Sequence, residues 1–173
     1  MKIEAKYLKR MRELLEPPTV NFAPSFTTSF SLAKEISRFL HDYFRGDYDE
    51  EITLERNLSI YVSIDGLALF LRQNFNAVMG RQMIDIRMKT VSTHLYLALF
   101  YDTSCITEEA LADMKKTAEL CGIDFEVTGD SVTVRIKGTV HFSYSAVNSN
   151  FVYQRLVNIF SPGGKFTPIS GDE

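Results

Sequence analysis

The sequence predicts an α+β fold, a two-layer sandwich with a mixed sheet covered on one face by helices. Two observations predict it. Segments with apolar residues at helical spacing interleave with segments that alternate every second residue. The alternating segments also come as adjacent pairs, around 83–102 and 123–138, as hairpins require. The order reads helix, helix, strand, strand, helix, strand, strand, helix, strand, strand, helix.

Each element has a local cause. Residues 3–16 read as a helix that Pro17 and Pro18 stop. "TVNFAPSFTT" reads as a loop. Residues 31–45 form the second helix, with Leu32, Ile36, Phe39, Leu40, Tyr43 and Phe44 as one apolar stripe. Short strands follow near "EITLERN" and "LSIYVS". Ser63 suits the N-cap of a helix over 64–79, and Gly80 suits its C-cap. "QMIDIRMKTV" and "HLYLALFYD" are longer strands; Ile84, Ile86 and Met88 alternate with polar neighbours. Thr107 suits the N-cap of a helix over 108–120, with Glu108 and Glu109 favoured in its first turn by the helix dipole. Leu111, Met114, Ala118 and Leu120 make its expected buried side, and Gly122 ends it. "IDFEVTGDSVTVRIKG" reads as a hairpin about Thr128, Gly129, Asp130 and Ser131. A last helix is expected over 150–160, before a loose tail.

Composition narrows the function classes. The 173 residues are 45% hydrophobic and 24% charged, and the formal net charge is −3. These values suit a soluble globular chain of one domain. No basic run appears, so nucleic acid is not an expected partner. Lys6, Lys9, Arg10 and Arg12 alternate with acids as a solvated helix face. The two cysteines, Cys105 and Cys121, form no Cys-x-x-Cys and predict neither a disulfide framework nor a zinc site. No apolar run approaches a membrane span, and the charged N-terminus does not read as a signal peptide. A cytoplasmic location is expected.

The order of elements and the residues within them resemble the ATPase domain of sensor histidine kinases, part of the larger family with gyrase, Hsp90 and MutL. The resemblance covers roughly residues 31–138. "LAKEISRFLHDYF" resembles the helix before the first strand, and "VSIDGLALFLRQNFNAV" the helix that carries the family's asparagine box. "LYLALFYDTSCITEEAL" resembles the strand and turn of its Asp-x-Gly-x-Gly box. "MKKTAELCGIDFEVTGDSVTVRI" resembles the closing helix and hairpin.

Each departure from the family removes a piece of chemistry. The family's two asparagines, four apart on one helix face, hold Mg²⁺ and its phosphates. Aligned from Asp65, their places fall on Gln73 and Ala77; slipped by one, they fall on Arg72 and Asn76. Either way one amide is lost. Asn74 and Asn76, two apart, point away from each other. Asn74 falls within the apolar face of Leu67, Leu71 and Val78, as a buried and satisfied amide would. Asp102 stands where the family's aspartate holds the adenine amino group, but Ser104 and Ile106 replace the glycines. A β-branched residue hinders both close approach and positive φ. A turn aspartate at a strand end is the plain reading of Asp102. Thr107 starts a helix five residues later, which leaves no room for the lid that closes over ATP. No phosphate-binding glycine loop occurs elsewhere; Gly163, Gly164 and Lys165 lie in the tail.

Other chemistry is sparse. His41 lies on a helix and precedes Asp42, as acceptor histidines often precede an acid, but the kinase motif's downstream proline is missing. His94 and His141 read as strand residues. No metal-ligand spacing occurs. Phe22, Phe26, Phe30, Phe142, Tyr144, Phe151, Tyr153 and Phe160 lie outside the resembling core and either pack on the domain or form a dimer or partner surface.

The resemblance with its losses implies a lid-less histidine kinase-type domain serving as a signalling or regulatory interaction module. It implies weak or no ATP binding, with Asp102, Asn76 and Gln73 as the remnant site and ATP with Mg²⁺ as the only cofactors it would supply. Residues 1–30 would be a helix and loop used for dimerisation, 31–138 the kinase-like domain, and 139–173 an extension with a short helix. A protein partner is expected, a response regulator or kinase, with homodimerisation through the N-terminal helices. One alternative is a histidine phosphotransferase of the sporulation type, with His41 as acceptor. Another is an ATP-binding sensor or anti-sigma-type kinase using Asp102 and Asn76.

Overall fold

The computed structural model describes residues 19–44, 49–78, 82, 84–140 and 146–160. The expected first helix, Gly80 and the glycine-bearing tail lie outside them. Seven strands are described: β1 (Ser25–Thr28), β2 (Glu50–Thr53), β3 (Ser59–Val62), β4 (Asp85–Val91), β5 (His94–Phe100), β6 (Asp124–Val127) and β7 (Ser131–Thr139). The helices are α1 (Ser29–Phe44), α2 (Ile64–Val78), α3 (Glu108–Cys121) and α4 (Ser149–Phe160). The sheet order is β1-β3-β7-β5-β4-β2, and β6 pairs with the free half of β7. Only β2 with β4 is parallel among the pairings described, so the sheet is mixed.

Strand alternation sorts the side chains into two faces. Ile86, Met88, Leu95, Leu97, Leu99, Val132, Val134 and Ile136 face inward and are buried. Against them pack the helices. Leu32, Ile36, Phe39 and Leu40 of α1 are buried as the stripe predicts, as are Leu67, Phe70 and Leu71 of α2. Helix α4 buries Val152, Leu156, Ile159 and Phe160 in the same core. Its Phe160 ring stands 4.7 Å from that of Phe39. Polar and aromatic residues occupy the other face, where no described helix lies.

The caps explain where the helices begin and end. Ser63 Oγ accepts from Gly66 N at 2.9 Å. Thr107 Oγ1 accepts from Ala110 N at 3.0 Å. Gly122 ends α3 at φ 71°, a left-handed conformation that glycine adopts without strain.

Two expectations are corrected. The stretch read as a loop contains β1, an edge strand that pairs antiparallel with β3. Pro24 and three polar residues among its four mask the period-two signal. Leu120, assigned to the buried side of α3, is half exposed, and Thr117 is buried in its stead. Thr117 is three residues from Met114 and next to Ala118, on the stripe that faces α2.

The aromatic residues outside the resembling core are not all packed on the domain. Phe160 is buried, while Phe30 and Phe151 are exposed. Phe26 packs its ring 4.3 Å from Tyr61 on the outer side of the sheet. Phe142 and Tyr144 lie outside the described residues.

Candidate functional site

The turn after β5 is the centre of the candidate site. Asp102 caps a single 3₁₀ turn, Thr103–Cys105. Its Oδ1 accepts from Ser104 N at 3.0 Å and from Ser104 Oγ at 2.7 Å. These bonds favour the charged form and hold the Asp102 carboxyl below its ordinary range. The backbone of Asp102 is clamped as well. Its N–H donates to Gln82 Oε1 at 2.7 Å, and its carbonyl accepts from Gln82 Nε2 at 3.1 Å. Thr103 Oγ1 bonds the Thr128 carbonyl, and Thr103 N donates to Gly129 O at 3.2 Å. The turn is thus fixed from two sides.

Helix α3 begins directly after this turn and lies along α2. A cavity of about 280 Å³ remains between them, lined by Gln73, Asn76 and Ala77 of α2, Cys105 of the turn, and Thr107, Ala110 and Asp113. The structure therefore brings Gln73 and Asn76 together beside the turn that carries Asp102. Asp102 itself does not line the cavity. Gln73 Nε2 donates to Thr117 Oγ1 at 2.9 Å, which ties α2 to α3. Gln73 Oε1 is buried with no hydrogen-bond partner among the described residues. The Thr117 hydroxyl can serve either end of the amide, so turning the amide over moves the orphan without removing it. Asn76 is exposed. Arg72, the other position matched to the family's amides, donates to Ile159 O at 3.0 Å and so joins α2 to α4.

Asn74 is fully buried and satisfied. Its Nδ2 donates to Phe70 O at 2.8 Å, and its Oδ1 accepts from Tyr101 Oη at 2.6 Å. Burial raises the Tyr101 pKa above its ordinary value. Sequence reasoning missed Tyr101, although it stands next to Asp102, because alternation alone does not say which strand-end tyrosine meets a helix.

It also missed the polar tie at the start of α2. Asp65 is 4% exposed, and its two oxygens accept from Arg155 Nε at 2.5 Å and Arg155 Nη2 at 2.6 Å. Asn21 N donates to Asp65 Oδ2 at 2.9 Å. Three segments distant in sequence meet at this carboxylate, so spacing could not signal it.

His41 stands well apart, on the last turn of α1. Its side chain is 55% exposed, and Nε2 lies 3.6 Å from Glu50 Oε1 of β2. Ser37, one turn earlier, donates to the same carboxylate at 2.7 Å. Among the described residues no group of three or more His, Cys, Asp or Glu is placed to hold a metal ion. Among them too, no helix is long and apolar enough to cross a membrane.

No family model and no curated protein matches the chain. Solved structures do. The mycobacterial sensor histidine kinase MprB is similar at a TM-score of 0.47 and 10% identity, over 68% of this chain and 99% of that one. The catalytic domain of histidine kinase ThkA is similar at the same TM-score, 0.47, with 10% identity and the same coverage. The histidine kinase domain of the E. coli osmosensor EnvZ is similar at 0.45 and 9% identity, over 77% of this chain and 96% of that one.

Proposed function

We infer that this chain is a lid-less histidine kinase-type domain that works as an interaction or regulatory module in signalling, with weak or no binding of ATP. One observation carries the reading. Asp102 Oδ1 is held by Ser104 within its own turn, and α3 starts directly after that turn and lies against α2 where a lid would have to open. The donor set supports it. Mg²⁺ asks for a near-octahedral set of oxygens. At the family's paired positions this chain offers either the Gln73 amide, held by Thr117, with Ala77, or Arg72, held by the Ile159 carbonyl, with Asn76; either way one amide oxygen is missing. MgATP does not fit these residues. A protein partner, with a response regulator or kinase as the first choice, follows from the signalling reading.

The test is ATP binding by calorimetry, with and without Mg²⁺, on the parent chain and on Asp102→Asn. No binding that depends on Asp102 is expected at millimolar nucleotide. Saturable binding that Asp102→Asn abolishes would overturn the reading and restore the ATP-binding sensor or anti-sigma-type kinase.

A second reading, the histidine phosphotransferase, is favoured by one observation. His41 is more than half exposed beside an acid, Glu50. Phosphotransfer from a phosphorylated response regulator, lost in His41→Ala, would establish it. No transfer to the parent chain would remove it.

A further inference from the structure

The face of the sheet opposite the helices carries a groove of about 910 Å³, within the range of small-ligand sites. Strand register builds it. Lys89 of β4, Tyr96 of β5 and Arg135 of β7 stand in one cross-strand row. Arg87, Ala98 and Thr133 form the next. Ala98 and Thr133 are small and make a floor. Tyr96 and Phe100, two residues to either side of Ala98, rise at its ends about 13 Å apart along the strand. Arg56, Arg87 and Lys89 supply cations along the lining, against Glu51 and Glu55.

The chemistry is that of ring and anion together. The Arg87 guanidinium already lies over the Phe100 ring, 4.7 Å from its centre. Such a stacked pair can be extended by a further planar ring. Glu51 accounts for Arg87, at 3.6 Å, and Asp124 accounts for Arg135, at 3.0 Å. Lys89 is exposed on the central row, beside Tyr96. The acids limit the length of an anion. Glu51 on β2 and Asp124 with Glu126 on β6 flank the cations on both sides, and the chain as a whole is negative. A long polyanion would cross those acids; a short one need not. A second copy centred on β5 fits poorly, because a two-fold axis along that strand sets Lys89 against the other copy's Arg135.

We propose that this groove binds a small planar anion, a ring bearing one or two phosphates, of mononucleotide size. The ring stacks between Tyr96 and the Arg87–Phe100 pair, and the phosphates meet Lys89 and Arg56. This site shares no lining residue with the cavity beside the Asp102 turn and does not depend on the proposed loss of ATP binding there. The cations come from β4 and from the loop after β2, so no basic run in the sequence announces them.

The experiment is titration of the whole chain with ADP, adenosine and pyrophosphate, by calorimetry and by amide chemical shifts. Expected are saturable ADP binding, weaker binding of either half alone, and shifts centred on β4 and β5. Lys89→Glu and Tyr96→Ala should each weaken ADP binding about tenfold or more, while Asp102→Asn leaves it unchanged. Lys89 is a surface residue, so Lys89→Glu decides the matter if Tyr96→Ala fails to fold. Absence of ADP binding, or binding that survives Lys89→Glu, overturns the proposal. ADP binding lost in Asp102→Asn alone would place the ligand at the Asp102 turn, and would overturn the inferred function as well. Saturable binding of an RNA oligonucleotide or an acidic peptide without ADP binding would assign the groove to a macromolecule and overturn it too.

Discussion

Arg155→Ala is expected to cost about 3–5 kcal/mol of folding stability, the range for breaking one partner from a buried pair. Asp65 is nearly inaccessible, and its carboxylate has three N–H donors: two from Arg155 and one from Asn21. Truncating Arg155 removes two of them and leaves the charge with one. The Arg155 side chain is 26% exposed, so water can reach part of the gap, which puts the expected value at the low end. Two further variants separate the charge from the packing. Asp65→Asn should cost less than Arg155→Ala, because a guanidinium left alone at this depth can turn toward solvent. The double variant should cost clearly less than the sum, since the second change removes a group already stranded. Urea unfolding of the four proteins measures all of these. A loss below about 1 kcal/mol for Arg155→Ala would make the pair no stronger than a surface ion pair. It would then not be what holds α4 against the start of α2.

That pair also shows what the sequence made legible and what it hid. Local causes were legible. Thr107 and Gly122 delimit α3 because a side-chain oxygen and a left-handed glycine satisfy end groups of the helix itself. The β4–β5 and β6–β7 pairs follow from alternation and short turns. Asn74 was legible as a buried amide because Leu67, Leu71 and Val78 share its helix face. What crosses between distant segments was hidden. Asp65 sits in the first turn of α2, where an acid is ordinary, and nothing in "NFVYQRLVNIF" marks Arg155 as its partner. Gln82 gave no signal that it would clamp Asp102 from twenty residues away, because an isolated polar amide in a loop is compatible with many surroundings. The edge strand β1 was hidden for a related reason. Its pairing rests on backbone bonds to β3, and its side chains barely alternate in polarity.

At the candidate site the second large effect is expected from the Tyr101–Asn74 bond. Tyr101→Phe should destabilise the chain by about 1–3 kcal/mol, the cost of stranding a buried polar group. The loss is not mainly that of the bond's own net contribution, which is about 1 kcal/mol. Asn74 is fully buried, so when the hydroxyl goes its Oδ1 has no water to turn to. Asn74→Leu should cost a similar amount, because it strands the Tyr101 hydroxyl in the same place. Its lost bond to Phe70 O adds little, since helix carbonyls already accept from the backbone four residues on. The combined Tyr101→Phe, Asn74→Leu variant leaves neither orphan. It should recover most of the loss and lie within about 1 kcal/mol of the parent, as apolar replacements of a buried polar pair often do. Thermal and urea unfolding of the three variants tests this. Strict additivity of the two single changes would mean that the two side chains are satisfied independently, and that Tyr101 does not fasten the end of β5 to α2. If recovery is found, the seam beneath the Asp102 turn is a structural tie that has no need of a ligand. Nucleotide binding at that turn would then have to be sought in Asp102, Gln73 and Asn76 alone.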